Sequence, residues 1–77
     1  MRIDGHEVDL VWREAKLVVE IDGYAFHSSR SSFERDRRKD QELRAAGDRV
    51  IRITWRQLTE ESAAVIATLA SALTRPA

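Results

Sequence analysis

The sequence contains no cysteine. That excludes a disulfide scaffold, a thiol nucleophile and any cysteine-based zinc or iron–sulfur site. One proline and three glycines leave little room for linkers or low-complexity segments, and no internal repeat is visible. No apolar run is long enough to span a membrane. The opening Met1-Arg2-Ile3-Asp4-Gly5 has no apolar signal core, so a cytoplasmic protein is expected. Net charge is zero, so no bulk field of one sign directs the chain to a partner. What remains is 43% hydrophobic and 34% charged residues over 77 positions. This is a globular composition, sized for one small domain, residues 1–77, with a marginal core.

The zero net charge conceals segregation. Residues 1–26 carry three basic against six acidic side chains, residues 27–56 nine against five, and residues 57–77 one against two. Eleven of the 13 basic residues are arginine, the better fork for phosphate. An acidic segment followed by an arginine-rich one suggests a cation site beside an anion-binding surface.

Residues 6–12 alternate, with Val8, Leu10 and Trp12 on one side and Glu7, Asp9 and Val11 on the other, which predicts a strand. Residues 17–22 predict a second, with Leu17, Val19 and Ile21 sharing one face and Val18, Glu20 and Asp22 the other. A hairpin pairing Trp12 with Leu17 then sets Leu10 against Val19, Val8 against Ile21 and Asp9 against Glu20. Gly23 ends the second strand, and residues 23–32 read as a loop. Ser31 with Glu34 fits a capping box, placing a helix from about Ser32 or Phe33 to Ala46, stopped by Gly47. Its apolar stripe is thin: Phe33, Leu43 and Ala46. Arg49 to Trp55 predict a third strand. Thr59 is positioned to cap a last helix whose stripe is Ala63, Ile66, Leu69, Ala70 and Leu73. The fold class is therefore α/β (α+β), in the order β-β-α-β-α.

Like charges opposite one another on a sheet repel, so Asp9, Glu20 and the diagonal Asp22 need an explanation. Either the face is solvated, or a hard divalent cation sits there, held by carboxylate oxygens. His27, five residues beyond Asp22, is either an ordinary loop histidine or a general acid, base or phosphate donor. In Glu34-Arg35-Asp36-Arg37-Arg38-Lys39-Asp40 the plain reading is a solvated face laced with i, i+4 pairs such as Glu34 with Arg38. The functional reading has Arg37, Arg38 or Lys39 holding nucleic-acid phosphates, with Arg52 and Arg56 as further candidates. Tyr24, Phe26 and Trp55 read as core. His6 reads as structural or incidental.

In sequence order these pieces are V-D-L-V-W around Asp9, V-V-E-I-D-G-Y at 18–24, His27, R-D-R-R-K-D-Q-E-L-R-A-A-G at 35–47 and R-V-I-R-I-T-W at 49–55. The set, spanning residue 6 to about residue 70, resembles an uncharacterised-domain family akin to the very-short-patch-repair (Vsr) endonucleases, within the PD-(D/E)XK nuclease superfamily. The resemblance implies the C-terminal part of a restriction-endonuclease-like core, with the usual N-terminal helix and strand missing from a chain truncated at that end. It implies a metal-dependent DNA endonuclease-like domain using Mg²⁺ or Mn²⁺, with Asp9 and Glu20 as metal ligands and Asp22 and His27 as further catalytic residues. Asp36 and Asp40 match supporting positions of the helix motif. Arg37 falls in the same helix motif and Arg52 matches a recurring arginine on the next strand; together with Arg38 they are expected to position the DNA backbone.

Two departures stand out. Asp22 replaces the lysine of the superfamily E-x-K pair, so His27 or a metal-bound hydroxide would have to serve in place of a lysine that orients the attacking water. Asp48 replaces the aromatic residue that usually follows the glycine, removing a packing group. The alternative expectation is a catalytically inactive nuclease-derived module that binds DNA or a partner in a toxin–antitoxin or mobile-element setting. A homodimer through open sheet edges, or a separate N-terminal domain, is a further expectation about partners.

Overall fold

A computed structural model of the chain describes residues 1–23 and 30–75. Among these residues the elements run β1 (Arg2–Ile3), β2 (His6–Glu7), β3 (Leu10–Trp12), β4 (Leu17–Asp22), α1 (Arg30–Ala45), β5 (Arg49–Thr54), α2 (Trp55–Glu60) and α3 (Ser62–Thr74). The fold is mixed α/β. A three-stranded mixed sheet has the order β3-β4-β5, with β4 antiparallel to β3 and parallel to β5. The crossover that parallel pairing requires contains α1.

The hairpin register follows the alternation: Leu10 pairs with Val19, Val11 with Val18 and Trp12 with Leu17. The expected strand over residues 6–12 is broken, however, at Val8 and Asp9. Its first part, β2, pairs instead with β1 across Asp4-Gly5. Both turn residues have positive φ, 50° and 81°, the backbone of a type I′ turn, which favours Asp-Gly. The break turns Val8 away from Ile21 and buries it with Val18 and Leu43. The N-terminal ammonium extends this hairpin by donating to the Val8 carbonyl at 3.0 Å.

Both faces of the sheet are covered, which is why β4 opens as an unbroken apolar run, Leu17-Val18-Val19, fully buried. One face presents Leu17, Val19 and Ile53 to Val65, Leu69 and Ala72 of α3 and Leu58 of α2. The other presents Val18, Val11 and Val50 to Leu43 of α1, with Ile3 and Val8 of the N-terminal hairpin beside them.

Several helix boundaries differ from expectation. Residue 30 is already helical, so Ser31 and Ser32 lie inside the first turn of α1. At its other end Gly47, φ 97°, donates to the Arg44 carbonyl and Asp48 to the Leu43 carbonyl, each at 3.0 Å. This is the paired-bond glycine stop that the sequence indicates. The C-terminal helix is divided at Glu61, and its cap is Thr54, not Thr59. Thr54 and Gln57 form a reciprocal capping box, while the Thr59 hydroxyl bonds back to the carbonyls of Trp55 and Arg56. On α3 Val65 and Ala72 are buried and Leu69, partly buried, packs with them; the expected Ala63, Ile66, Ala70 and Leu73 are exposed. Trp55 is 45% exposed and Phe33 57%, so neither is core. Tyr24, Phe26 and His27 lie outside the described residues.

Candidate functional site

The site lies where the carboxyl half of β4 meets α1. Alternation sends Val18, Glu20 and Asp22 to the α1 side of the sheet. The parallel register sets Arg52 of β5 beside Glu20. One turn of α1 brings Asp36, Lys39 and Asp40 over the same region, anchored by the fully buried Leu43.

Asp9 and Glu20 are brought together, though not as two bare carboxylates facing each other. They are locked by reciprocal bonds to the main chain. The Ile21 N–H donates to Asp9 Oδ2 at 2.7 Å, and the Asp9 N–H donates to Glu20 Oε1 at 3.3 Å. The break in the strand at Asp9 frees the backbone for this exchange. Asp9 remains exposed, and its second oxygen accepts no hydrogen bond among the described residues.

Lys39 completes the cluster. Its Nζ lies 3.1 Å from Glu20 Oε2 and also donates to the Glu7 carbonyl. Both partners are largely buried, with side-chain exposures of 22% and 12%. In sequence Lys39 groups with the candidate phosphate-holding cations, and nothing there connects it to Glu20. The signal that finds it is its place four residues before Leu43, on the helical row that the buried leucine turns toward the sheet.

Asp22 and Asp40 share Arg52. The guanidinium grips Asp40 with two prongs, Nε to Oδ2 and Nη2 to Oδ1, both 2.9 Å. Its remaining nitrogen donates to Asp22 Oδ1 at 2.8 Å. Burial alone would raise the Asp40 pKa, but the hydrogen bonds and charge of Arg52, with the charges of Arg37 and Arg44, outweigh it and leave the carboxyl below its ordinary value. Hydrogen bonding to Asp40 likewise holds the Arg52 proton more tightly than usual, against the opposing effect of burial, with the charges of Asp40, Asp22 and Asp36 adding to the hold. Arg52 therefore stitches β4, α1 and β5 together, and its fork is fully engaged.

The other arginines divide. Arg37 stacks over the Phe33 ring, 5.0 Å from its centroid, and approaches Asp40 at 3.8 Å. Arg56 lies near Glu60 and Glu61 on the surface. Arg38 is exposed and lines an open groove with Arg35, Lys39 and His6. Asp36 and Glu42 lie on the same groove, and the expected pair of Glu34 with Arg38 is not among the ion pairs of the described residues.

Asp9 and Glu20 fit a hard cation by donor type, since such ions take carboxylate oxygens and keep several waters. Among the described residues no three aspartate, glutamate or histidine side chains converge as a ready-made metal cage. Cleavage of a phosphodiester would need such a carboxylate pair, a cation near the reacting phosphate and a route for the proton.

A family model, REase_MTES_1575, describing a restriction endonuclease-like family, matches residues 1–73. Neither the comparison with curated proteins nor that with solved structures returned a match.

Proposed function

The chain belongs to the restriction endonuclease-like family REase_MTES_1575, and from that footing we propose that it is a metal-dependent, Vsr-like DNA endonuclease domain of the PD-(D/E)XK type. The observation that carries the reading is the cluster of Asp9, Glu20 and Lys39, with Lys39 Nζ 3.1 Å from the Glu20 carboxylate.

Asp9 and Glu20 would hold Mg²⁺ or Mn²⁺, which when bound polarises the phosphodiester and helps generate hydroxide at neutral pH. The Asp9 N–H and the Lys39 ammonium orient Glu20, and the Ile21 N–H orients Asp9, so neither carboxylate must reorganise when substrate arrives. Lys39 supplies from α1 the ammonium that the E-x-D sequence of β4 lacks. It is positioned to steady the attacking water or the scissile phosphate. Asp22, held by Arg52, acts as a supporting carboxylate; His27 remains the candidate for proton transfer.

A second reading, a nuclease-derived module that binds DNA without cutting it, is favoured by one feature. Lys39 already neutralises Glu20, and Arg52 already engages Asp22, so the acidic cluster is balanced internally.

Nicking of supercoiled plasmid in Mn²⁺, Mg²⁺ and EDTA separates the two, with Glu20→Gln run alongside after circular dichroism has verified its fold. Metal-dependent nicking that disappears in Glu20→Gln is the expected result. Folded wild-type protein that leaves the plasmid intact in both metals would overturn the nuclease reading in favour of the binding module.

A further inference from the structure

We infer that the groove between β2 and α1 is the track for one sugar–phosphate strand of DNA, with Arg35 and Arg38 as its phosphate forks and Lys39 as the link to the carboxylate pair. The inference rests on the nuclease reading for its substrate class and goes beyond it in naming the surface.

The groove, of about 380 Å³, is open to solvent and lined by His6, Arg35, Asp36, Arg38, Lys39 and Glu42. Arg35 and Arg38 are three residues apart on α1, hence neighbours on one helix face. Among the described residues neither meets a carboxylate, unlike Arg37 and Arg52 on the same side of the sheet. Of the groove's two acids, Glu42 accepts a hydrogen bond from His6 Nε2 at 3.0 Å, and Asp36 stands among Arg35, Arg38 and Lys39. Two guanidinium groups outside any ion pair among the described residues, with Lys39 beside them against Asp36 and Glu42, leave an anion-attracting surface. Lys39 lines this groove and also contacts Glu20, so a strand seated on the arginines runs directly to the acidic cluster.

This redirects the DNA-facing surface. Arg37 and Arg52 are engaged with Phe33, Asp40 and Asp22, so of the three arginines expected to hold DNA only Arg38 faces the groove, and Arg35 joins it. An extended, regularly charged polyanion suits an open groove better than a compact anion does. A disordered acidic peptide shares the charge but not the phosphates that bidentate guanidinium recognition favours.

The test is binding of a fluorescent DNA duplex in EDTA, by anisotropy, between roughly 50 and 200 mM salt. The Arg35→Ala/Arg38→Ala double variant should lose at least about tenfold in affinity, and its plot of log K against log salt should flatten by roughly 2. Arg37→Ala should match wild type in both, and Arg35→Lys/Arg38→Lys should keep the wild-type salt slope. An unchanged slope in the double alanine variant overturns the inference, as does displacement of the duplex by polyglutamate at equal charge. Binding with these properties in a protein that nicks no plasmid upholds the groove while the nuclease reading falls. Glu20-dependent nicking with an unaltered KM in the double alanine variant does the reverse.

Discussion

Arg52 holds Asp40 in a two-pronged hydrogen bond, 2.9 Å at each prong, and Asp40 is 1% exposed. The pair joins the helix to the edge strand at the floor of the site. A buried pair of this kind contributes modest net stability, but breaking it strands a charge.

Arg52→Ala should therefore destabilise the fold by about 3–5 kcal/mol, a large share of what so small a domain possesses. Urea unfolding measures it. Asp40→Leu/Arg52→Met, which removes both charges, should cost clearly less than either single change. Acid should act through the same carboxyl. Its folded pKa lies below the ordinary 3.8, so its stabilisation is fully present above that value and is lost as pH falls through the folded pKa.

Asp48 should respond to pH in the opposite sense. Burial, with hydrogen bonding to Asp4 and the Asp4 charge, raises its pKa against the weaker pull of Lys16, and its Oδ2 lacks a partner. A raised carboxyl favours the fold below the ordinary value and loses that contribution as pH rises through the folded pKa. Asp48→Asn should raise the melting temperature at neutral pH, and the gain should vanish well below pH 3.8. Calorimetry at the two pH extremes reads the difference.

Lys39→Met should lower nicking by at least ~10²-fold while the protein stays folded. Its KM should change less than its kcat, because Arg35 and Arg38 remain to seat the strand. Full activity in this variant would reduce Lys39 to a counter-ion for Glu20.

Gly47→Ala should cost about 1–2 kcal/mol. The added methyl meets only the Lys16 side chain, at 3.5 Å, so the penalty comes from the backbone, held at φ 97°. Thermal unfolding checks this.

What was legible in the sequence follows from short-range periodicity. Alternation gave the β3–β4 register and both faces of β4, and Gly47 gave the end of α1. The same alternation misplaced Val8, because Asp4-Gly5 forms a competing turn that captures His6 and Glu7 for the N-terminal hairpin. The stripe expected on α3, Ala63, Ile66, Leu69, Ala70 and Leu73, shares only Leu69 with the one that packs. The sheet selected Val65, Leu69 and Ala72, leaving Ile66 and Leu73 outside. Thr59 had the residue type of a cap, but Thr54 stands where the strand ends and Gln57 can reciprocate.

By itself the sequence determined β4, the body of α1, β5 and the meeting of Asp9 with Glu20, since these depend on near neighbours in the chain and on the local periodicity of side chains. Only tertiary structure decided which cation serves which acid. Lys39 and Asp40 are adjacent in sequence, yet Lys39 reaches Glu20 and Asp40 takes Arg52. That division depends on the rotation and height at which α1 packs on the sheet, fixed by the burial of Leu43 against Val18 and Val8. It also leaves Arg35 and Arg38 facing the open groove. Helical spacing alone carries no information about the distance across a packed interface.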